Sequence, residues 1–376
     1  MISNILFLIL AFFSLIILMI IHEFGHFIIA KKFGVRVDEF GIGYPPRIFG
    51  KKIGETIYSV NWIPLGAFVR IFGEEGGIDD YRSFTGLKIW KRALIIVGGV
   101  AAFWLASMLI FSVVFAIGTD LPIGDNDVAG LENPKVIVAE VVLDSPAKEA
   151  GLKIGDIILN IKTSLDDKKI EKISQFKEIT SEHKGKEIIL GIERQGQQMD
   201  ISLTPRSDFP EGQGPVGIGL QRTATLIQKY PWYLAPIKGI AYTWETTILA
   251  LQGLYSIFSG LFTGQGAPQG AEFAGPLGIT IFLANAANYG AGFFLYFIGS
   301  ISIFIAIFNL FPIPALDGGK LIFLIIEKIK GKPVSVKVEQ AITMFFFILL
   351  ISLSIFITIK FDVPRFTDYL KSSLRQ

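Results

Sequence analysis

Long runs of apolar residues alternate with polar stretches along this chain, and four of the runs are long enough to cross a bilayer as helices. About 20 apolar residues in a helix span the hydrocarbon core. The runs cover residues 4–30, 93–118, 293–311 and 341–359. Lysines and arginines follow the first run, precede the second and lie between the last two. Because positive loops stay in the cytoplasm, the pattern predicts four transmembrane helices with the amino terminus outside.

The pattern changes between the first two runs. Residues 35–73 are rich in β-branched and aromatic residues and are interrupted by Gly and Pro, which predicts short strands. Two placements are open: a β-hairpin sheet that dips toward the bilayer beside the first helix, or a cytoplasmic β-ribbon. Non-helical backbone at membrane depth needs cover by protein or water. An exposed strand edge in this segment could pair with an extended substrate.

A polar region at residues 121–206 interrupts the apolar pattern. Its strand-like and helix-like segments predict an α+β domain outside the membrane. The stretch SPAKEAGLKIGD, residues 145–156, resembles the core of a PDZ domain. Such a domain implies a groove, here beside a helix near residues 174–183, that binds a peptide C-terminus by strand addition. His183, at the polar end of that helix, is expected to be a surface residue.

Residues 207–292 are weakly patterned. Aromatic and aliphatic residues recur at helical spacing over residues 232–262, which favours a pair of interfacial amphipathic helices. A Gly/Pro-rich loop and a weakly apolar helix at residues 277–289 follow. The chain is therefore interpreted as a multi-pass α-helical membrane protein with a membrane-associated β-hairpin sheet and an inserted α+β PDZ domain. The membrane core comprises residues 1–120 and 293–376, and residues 207–292 are extracytoplasmic helices and loop.

Charge and composition narrow the possible chemistry. The net charge of +2 among 376 residues gives no electrostatic case for nucleic-acid binding. Cysteine is absent, so disulfides and thiolate metal sites are excluded. Any bound metal must use nitrogen and oxygen ligands.

The clearest chemical motif lies near the end of the first apolar run. It reads HEFGH at residues 22–26, the spacing of the H-E-x-x-H zinc motif. His22 and His26 project from one face of a helix, close enough to share a metal ion. Glu23 lies near the metal and remains free to act on a bound water. Packing of the histidines between helices is the alternative, but an ionisable residue inside a membrane is functional by default.

A third ligand is expected near the end of the chain. A catalytic zinc takes three protein ligands, and without cysteine the third is a carboxylate. Asp317 lies at matching depth in an apolar segment broken by Pro312 and Pro314. Its alternative role is a helix N-cap. Asn309 could hydrogen-bond to a tetrahedral intermediate or substrate backbone, or to carbonyls freed by the broken helix.

These motifs together resemble the site-2 protease family, in particular the bacterial regulators of extracytoplasmic stress signalling. HEFGH lies in the first span, a PDZ-like domain lies between spans two and three, and NLFPIPALDGG follows span three. The resemblance implies a zinc-dependent intramembrane endopeptidase with Glu23 as the catalytic residue and with His22, His26 and Asp317 as ligands. One departure is that residues 98–103, GGVAAF, lack the Asn that often ends a glycine-led motif in the second span of family members.

The same resemblance sets expectations for partners and location. The substrates would be single-pass membrane proteins, such as anti-sigma factors, already trimmed by another protease. The enzyme would lie in the cell membrane, the inner membrane of a two-membrane cell, with its active site near the cytoplasmic side and its PDZ domain extracytoplasmic. That domain would either recruit a cut tail or exclude large ectodomains.

Two other functions are weighed against the protease. An inactive scaffold that binds exported tails through its PDZ domain would have no need of Glu23. A transporter with broken helices predicts internal repeats, and the halves of the sequence show none.

Overall fold

The computed structural model describes residues 2–76, 80–125, 132–164, 166–194, 196–210, 213–225, 230–263, 273–288 and 290–374. These residues form two compact units. The first comprises Met1–Val113, Trp232–Ala287 and Phe294–Gln376, and the second comprises Val114–Pro231 and Asn288–Phe293.

Four helices of the described chain are long and apolar enough to cross a membrane, as the hydropathy pattern predicts. They are α1 (Ile2–Lys32), α2 (Ile89–Ile117), α7 (Ala291–Asn309) and α9 (Val336–Ile357). The last span begins five residues before the predicted boundary, and a π-helical turn (Thr358–Asp362) extends it into α10 (Val363–Leu374). The polar start of α9 is exposed, which explains why hydropathy alone placed that end too late.

Close contact between α1 and α2 depends on small residues. A Cβ atom added to Gly25 would lie 2.2 Å from the carbonyl oxygen of Gly98 and 2.8 Å from Cβ of Ala102. Small residues allow helix backbones to approach closely inside a membrane. Gly98 and Ala102 therefore belong to the face of α2 that packs against α1.

The region after α1 is a single hairpin rather than several short strands. It consists of β1 (Val37–Ile53) and β2 (Thr56–Ile71), which pair with each other. In β1, residues 39–42 pair with 57–60 on one side and with 67–70 on the other. Residues 47–53 pair with 56–61, so part of β2 also has a partner on both sides. Glycines and prolines inside the long strands bend the hairpin onto itself without ending either strand, and this is why the sequence pattern suggested separate strands.

Aromatic contacts hold this sheet against the second half of α1. The ring centroid of Phe27 lies 5.5 Å from that of Phe40 and 6.1 Å from that of Tyr58. At the hairpin turn, Glu55 accepts hydrogen bonds from Lys31 at 2.7 Å and from Arg82. These two cations hold the pKa of Glu55 at about 2, so the turn stays ionised and paired with the end of α1 at neutral pH.

The second unit contains a seven-stranded sheet. The strands are β3 (Asp120–Pro122), β4 (Glu132–Val141), β5 (Ile157–Lys162), β6 (Asp167–Lys169), β7 (Ile188–Arg194), β8 (Gln197–Leu203) and β9 (Ile218–Thr225). The order is β3-β9-β4-β5-β7-β8, with β6 beside β5. The short helix α3 (Pro146–Glu149) and the helix α4 (Ile173–Glu182) complete the unit.

The sheet extends beyond the predicted domain boundary at residue 206. Strand β9 pairs with β4 along its length, and only residues 223–225 of its other edge pair with β3. The helix α4 lies against β9. The carbonyl of Arg222 accepts a hydrogen bond from the backbone amide of Ile123 at 2.9 Å. In this part of the described chain, residues 218–221 of β9 therefore present an edge with no paired strand next to α4. The apolar run VGIGL, residues 216–220, is the sequence signal for this strand that the interpretation of residues 207–292 overlooked.

The start of α4 is fixed from a distant loop. The Asp125 carboxylate accepts hydrogen bonds from the backbone amides of Ile173 and Ser174, at 2.9 and 2.7 Å. Desolvation opposes ionisation of Asp125, but these amide donors outweigh it and lower its pKa. A carboxylate at this position satisfies two of the amides that every helix start leaves unpaired.

Residues 232–262 differ from the predicted helix pair. They form most of one continuous helix, α5 (Ala235–Thr263), which is not among the four span candidates of the described chain. The helix α6 (Pro276–Asn288) is not peripheral either, because Ile281, Leu283 and Ala284 are buried in one cluster with residues of α1, α2 and α7. Most of the predicted Gly/Pro-rich loop, residues 264–272, lies outside the described residues.

Candidate metal centre

The two histidines of HEFGH lie on the buried face of α1. His22 and His26 are 5% and 8% exposed, although much of the rest of α1 is exposed and apolar. They are one helical turn apart, and their Nε2 atoms lie 3.2 Å from each other. The helix therefore brings both imidazoles to one point, as their spacing predicts.

Asp317 reaches the same point from the other end of the chain. The helix α7 ends at Asn309, the segment containing Pro312 and Pro314 is not helical, and α8 (Asp317–Lys330) begins at Asp317 itself. The unwound segment therefore ends before Asp317, which is the first residue of a helix. The N-cap position is Leu316, and no side chain caps this helix, so the structure does not use Asp317 as the N-cap.

Two glycines allow α8 to start here. A Cβ atom on Gly318 would lie 2.2 Å from the carbonyl oxygen of Phe311, and one on Gly319 would lie 2.3 Å from that of Ile313. Both obstacles are backbone atoms, which cannot move aside as a flexible side chain could. The sequence Asp-Gly-Gly thus lets the first turn of α8 press against the unwound segment and carry the Asp317 carboxylate to the histidines.

Three donor atoms converge in this arrangement. Asp317 Oδ2 lies 3.3 Å from His22 Nε2 and 3.4 Å from His26 Nε2. His26 Nδ1 lies 2.8 Å from the carbonyl oxygen of Ile95, and because a carbonyl only accepts, Nδ1 must carry the proton. A neutral His26 then directs the lone pair of Nε2 toward the cluster. Asp317 Oδ2 is buried and makes no hydrogen bond within the described structure.

This donor set fits a tetrahedral metal ion. Zinc binds imidazole nitrogen and carboxylate oxygen at about 2.0–2.2 Å, so adjacent ligand atoms of a tetrahedral site lie roughly 3.3–3.5 Å apart. The three observed separations, 3.2 to 3.4 Å, are of this size. His26 Nε2 and Asp317 Oδ2 face each other with lone pairs at 3.4 Å, and burying two such atoms together is costly unless a cation is shared between them. His22, His26 and Asp317 are also the only described group of three such side chains close enough to share a metal ion.

A glycine of the second span makes room for His26. A Cβ atom on Gly99 would lie 2.2 Å from His26 Nε2 and 2.4 Å from Cε1. The two glycines of GGVAAF have different contacts. Gly98 does pack against α1, whereas Gly99 faces a candidate ligand, and helical periodicity alone does not distinguish these roles.

Two ion pairs fix α8 further along. Arg92 of α2 donates two hydrogen bonds to Glu327, one of them at 3.0 Å, and both side chains are largely buried. Lys320, one turn after Asp317, donates to Glu74 at 2.6 Å. Lys320 and Lys328 therefore lie on a helix, not in the predicted loop. The bidentate Arg92–Glu327 pair adds directional stability, and both pairs hold the helix that carries Asp317.

The other predicted site residues take different positions. Glu23 is half-buried next to His22 and interacts electrostatically with both histidines and with Asp317. Asn309 is half-buried at the last residue of α7, and its side chain hydrogen-bonds to no described group. His183 ends α4, where its Nδ1 donates to the carbonyl of Ile179 at 2.9 Å; it belongs to the second unit and takes no part in the cluster.

Comparison with known proteins agrees with this geometry. The sequence profile of peptidase family M50 matches residues 10–353, which is nearly the whole chain and includes all three converging side chains. This chain belongs to peptidase family M50. That family comprises the site-2 proteases, so the resemblance noted in the sequence is confirmed.

Relatives match more than nine-tenths of the M50 chain. A Clostridium perfringens protein, provisionally named as a zinc metalloprotease, is 34% identical over 95% of this chain and 97% of its own length. A similarly named Nostoc protein is 29% identical over 92% of this chain and 93% of its own. The zinc metalloprotease RasP of Oceanobacillus iheyensis is 27% identical over 93% of this chain and 96% of its own.

Membership of M50 decides the general activity. The protein is a zinc-dependent metalloprotease of the membrane. Its substrates are therefore membrane proteins, and it acts in a lipid environment. The scaffold alternative has no support from these comparisons.

The M50 chain also contains contacts that the sequence did not reveal, namely Gly99 against His26, the Ile95 carbonyl on His26 Nδ1, and Phe103 stacked on His22.

Proposed function

We propose that His22, His26 and Asp317 hold the catalytic zinc ion and that Glu23 is the general base. The observation that carries this proposal is the convergence of the three donor atoms within 3.4 Å of one another. Bound zinc would supply a nucleophile by lowering the pKa of its water to about 7. Glu23 then accepts the proton of the attacking water and passes it to the nitrogen of the leaving amine.

Asn309 is proposed to contact the substrate. The side-chain amide of this residue makes no hydrogen bond to the carbonyls freed between α7 and α8 in the described structure, which favours the first of its two predicted roles. A side-chain amide near the reacting carbonyl can stabilise the negative charge that develops on its oxygen.

The proposed substrate is a transmembrane helix that unwinds before it is cut. The cluster lies on a helix that is apolar enough to span a membrane, shortly before Lys31 and Lys32. Positive residues favour the cytoplasmic side, so the site would be inside the bilayer near that side. Single-pass proteins already trimmed by another protease, such as anti-sigma factors, are the proposed substrates, and the cell membrane, inner in a two-membrane cell, is the proposed location.

The hairpin of β1 and β2 is proposed to dip into the bilayer beside α1. The side chains near its bend are apolar and more than half exposed, among them Phe49, Trp62 and Leu65. Exposed apolar groups of this size mark contact with lipid or with another chain. The pairing of each strand with two segments of the other satisfies much of the backbone, as membrane depth requires, and an outer edge would accept an extended substrate strand.

The second unit is proposed to be an extracytoplasmic PDZ domain. Its support is the edge of β9 at residues 218–221, which lies next to α4 and has no paired strand among the described residues. An extended peptide C-terminus would add to that edge. Size exclusion of large ectodomains is the other role to be tested.

The ligand assignment predicts that Asp317→Asn lowers zinc occupancy. An amide oxygen is neutral and binds zinc more weakly than a carboxylate, so we expect a substantial loss of metal from the purified protein. Elemental analysis of wild-type and variant protein measures it. Asp362→Asn is a matched control, because Asp362 is a buried carboxylate outside the cluster. Full zinc occupancy in Asp317→Asn would remove Asp317 from the ligand set.

The substrate assignment is tested in membranes. Cells in which Glu23→Gln replaces the wild type should accumulate trimmed, single-pass membrane fragments, because the first cleavage proceeds and the second does not. Quantitative comparison of membrane proteins identifies them. An unchanged fragment population would contradict the proposed substrate class and leave the zinc assignment untouched.

A further inference from the structure

The two histidines of the cluster are oriented by different means. His26 has a polar partner on its outer nitrogen, because Nδ1 donates to the Ile95 carbonyl at 2.8 Å. His22 Nδ1 is buried and has no hydrogen-bond partner within the described structure. Rotation about the bond to an aromatic ring is soft, so hydrogen bonding does not fix the plane of the His22 ring.

An aromatic ring of α2 lies flat against His22 instead. The ring centroids of His22 and Phe103 are 4.7 Å apart, and their planes differ by 19°. This is a stacked arrangement at the distance where aromatic pairs attract. His26 makes an edge-on contact with His22 instead, and the angle between the two ring planes is 82°. His22 is thus held between a parallel face and a perpendicular edge.

Phe103 itself is rigidly held. Its side chain is fully buried, in one cluster with Leu18, which lies one turn before His22 on α1. Its carbonyl oxygen accepts a hydrogen bond from Ser302 Oγ at 2.9 Å, and one turn later Ser107 Oγ donates to the Gly299 carbonyl at 2.8 Å. These two bonds run in opposite directions between α2 and α7. They prevent the backbone under Phe103 from sliding along α7.

We propose that Phe103 is a positioning residue for the metal centre, and that its face holds the His22 ring in the plane that directs Nε2 at the ion. Metal-ligating histidines ordinarily have a hydrogen-bond partner on the other ring nitrogen, which orients them. Here the apolar ring does this for His22. Phe103 lies within GGVAAF, the stretch that lacks the expected Asn. This inference rests on the proposed role of His22 as a ligand.

The test compares two phenylalanines of the same helix. Phe103→Leu removes the ring and keeps a buried apolar side chain. Phe111→Leu is the matched control, because Phe111 is equally buried on α2 but meets Tyr242 edge-on and Tyr296 at a tilt, and it contacts neither histidine. Full-length variants in detergent are stripped of metal, and zinc affinity is measured by competition with a chelator. Cobalt is then substituted, because its visible absorption reports ligand geometry independently of protease activity.

We expect Phe103→Leu to raise the zinc Kd by about tenfold, the low end of the loss seen when a partner that orients a ligand is removed. Its cobalt spectrum should shift, while Phe111→Leu leaves both quantities as in the wild type. An unchanged Kd and spectrum in Phe103→Leu, or an equal loss in both variants, would overturn the positioning role.

His22→Ala separates this inference from the ligand assignment. Loss of zinc in His22→Ala together with full affinity in Phe103→Leu would refute only the role of Phe103. Wild-type zinc affinity in His22→Ala would refute the ligand assignment and the positioning role with it.

Discussion

Glu23→Gln should lower the rate of peptide-bond hydrolysis by roughly 10²–10⁴-fold, the contribution typical of a general base, while zinc content stays unchanged. The variant keeps the size of the side chain and removes its ability to accept a proton. Glu23 is half-buried next to His22 and interacts electrostatically with both histidines, and it is not among the three side chains that converge. Glu23→Gln should therefore lose proteolysis while it keeps its zinc.

The rate of hydrolysis is measured as cleavage of a purified model substrate with one transmembrane helix. Zinc content is measured by elemental analysis. Glu245→Gln is the control, because Glu245 is an exposed carboxylate on α5; it should cleave at the wild-type rate. Equal cleavage by Glu23→Gln and the wild type would end the assignment of Glu23 as the base. Loss of zinc together with activity would instead make Glu23 part of the metal site.

Gly99→Ala should abolish both zinc binding and proteolysis. The added methyl group would lie 2.2 Å from His26 Nε2, well inside contact distance. Either the imidazole leaves the cluster, which also breaks its hydrogen bond to Ile95, or α2 moves away from α1. Displacements of about 1 Å in a catalytic site cost around 10²-fold in rate, so we expect at least that loss.

Gly253→Ala provides the matched control for this change. Gly253 lies in the helix α5, and an added Cβ would meet no atom within 4 Å. Alanine favours a helix over glycine by about 1 kcal/mol, so that variant should be as stable as the wild type or more so. Zinc titration and cleavage assays on both variants decide the question. Full metal occupancy in Gly99→Ala would show that His26 tolerates the displacement and is not held by this contact.

The sequence predicts well what depends on local pattern. Hydropathy located the four spans because a bilayer imposes one length on every crossing helix. Helical spacing predicted that His22 and His26 share a face, and the structure places their Nε2 atoms 3.2 Å apart. The strand-like and helix-like segments of residues 121–206 predicted a sheet with a helix near residues 174–183, and α4 lies at Ile173–Glu182. Cysteine-free composition pointed to a carboxylate, and Asp317 lies beside both histidines.

What the sequence misses depends on contacts between distant elements. The hairpin of β1 and β2 folds back so that one segment pairs on both sides, and no local pattern encodes that register. Strand β9 was overlooked because its glycines resemble a loop until β4 supplies its partner. The contacts of Gly99 with His26 and of Phe103 with His22 arise only when α2 packs on α1, since helical periodicity describes a face and not what that face meets.

The distance along the chain between the motif and Asp317 has a consequence for biosynthesis. His22 and His26 leave the ribosome roughly 300 residues before Asp317, which at 5–20 residues per second corresponds to about 15–60 s. Asp317 reaches the cluster only after α7 is in place and α8 has packed, through Gly318 and Gly319, against the unwound segment that follows α7. During that interval the histidine pair lacks the carboxylate of Asp317. With the proposed ligand set, the zinc site of the nascent chain is therefore complete only after Asp317 has been synthesised.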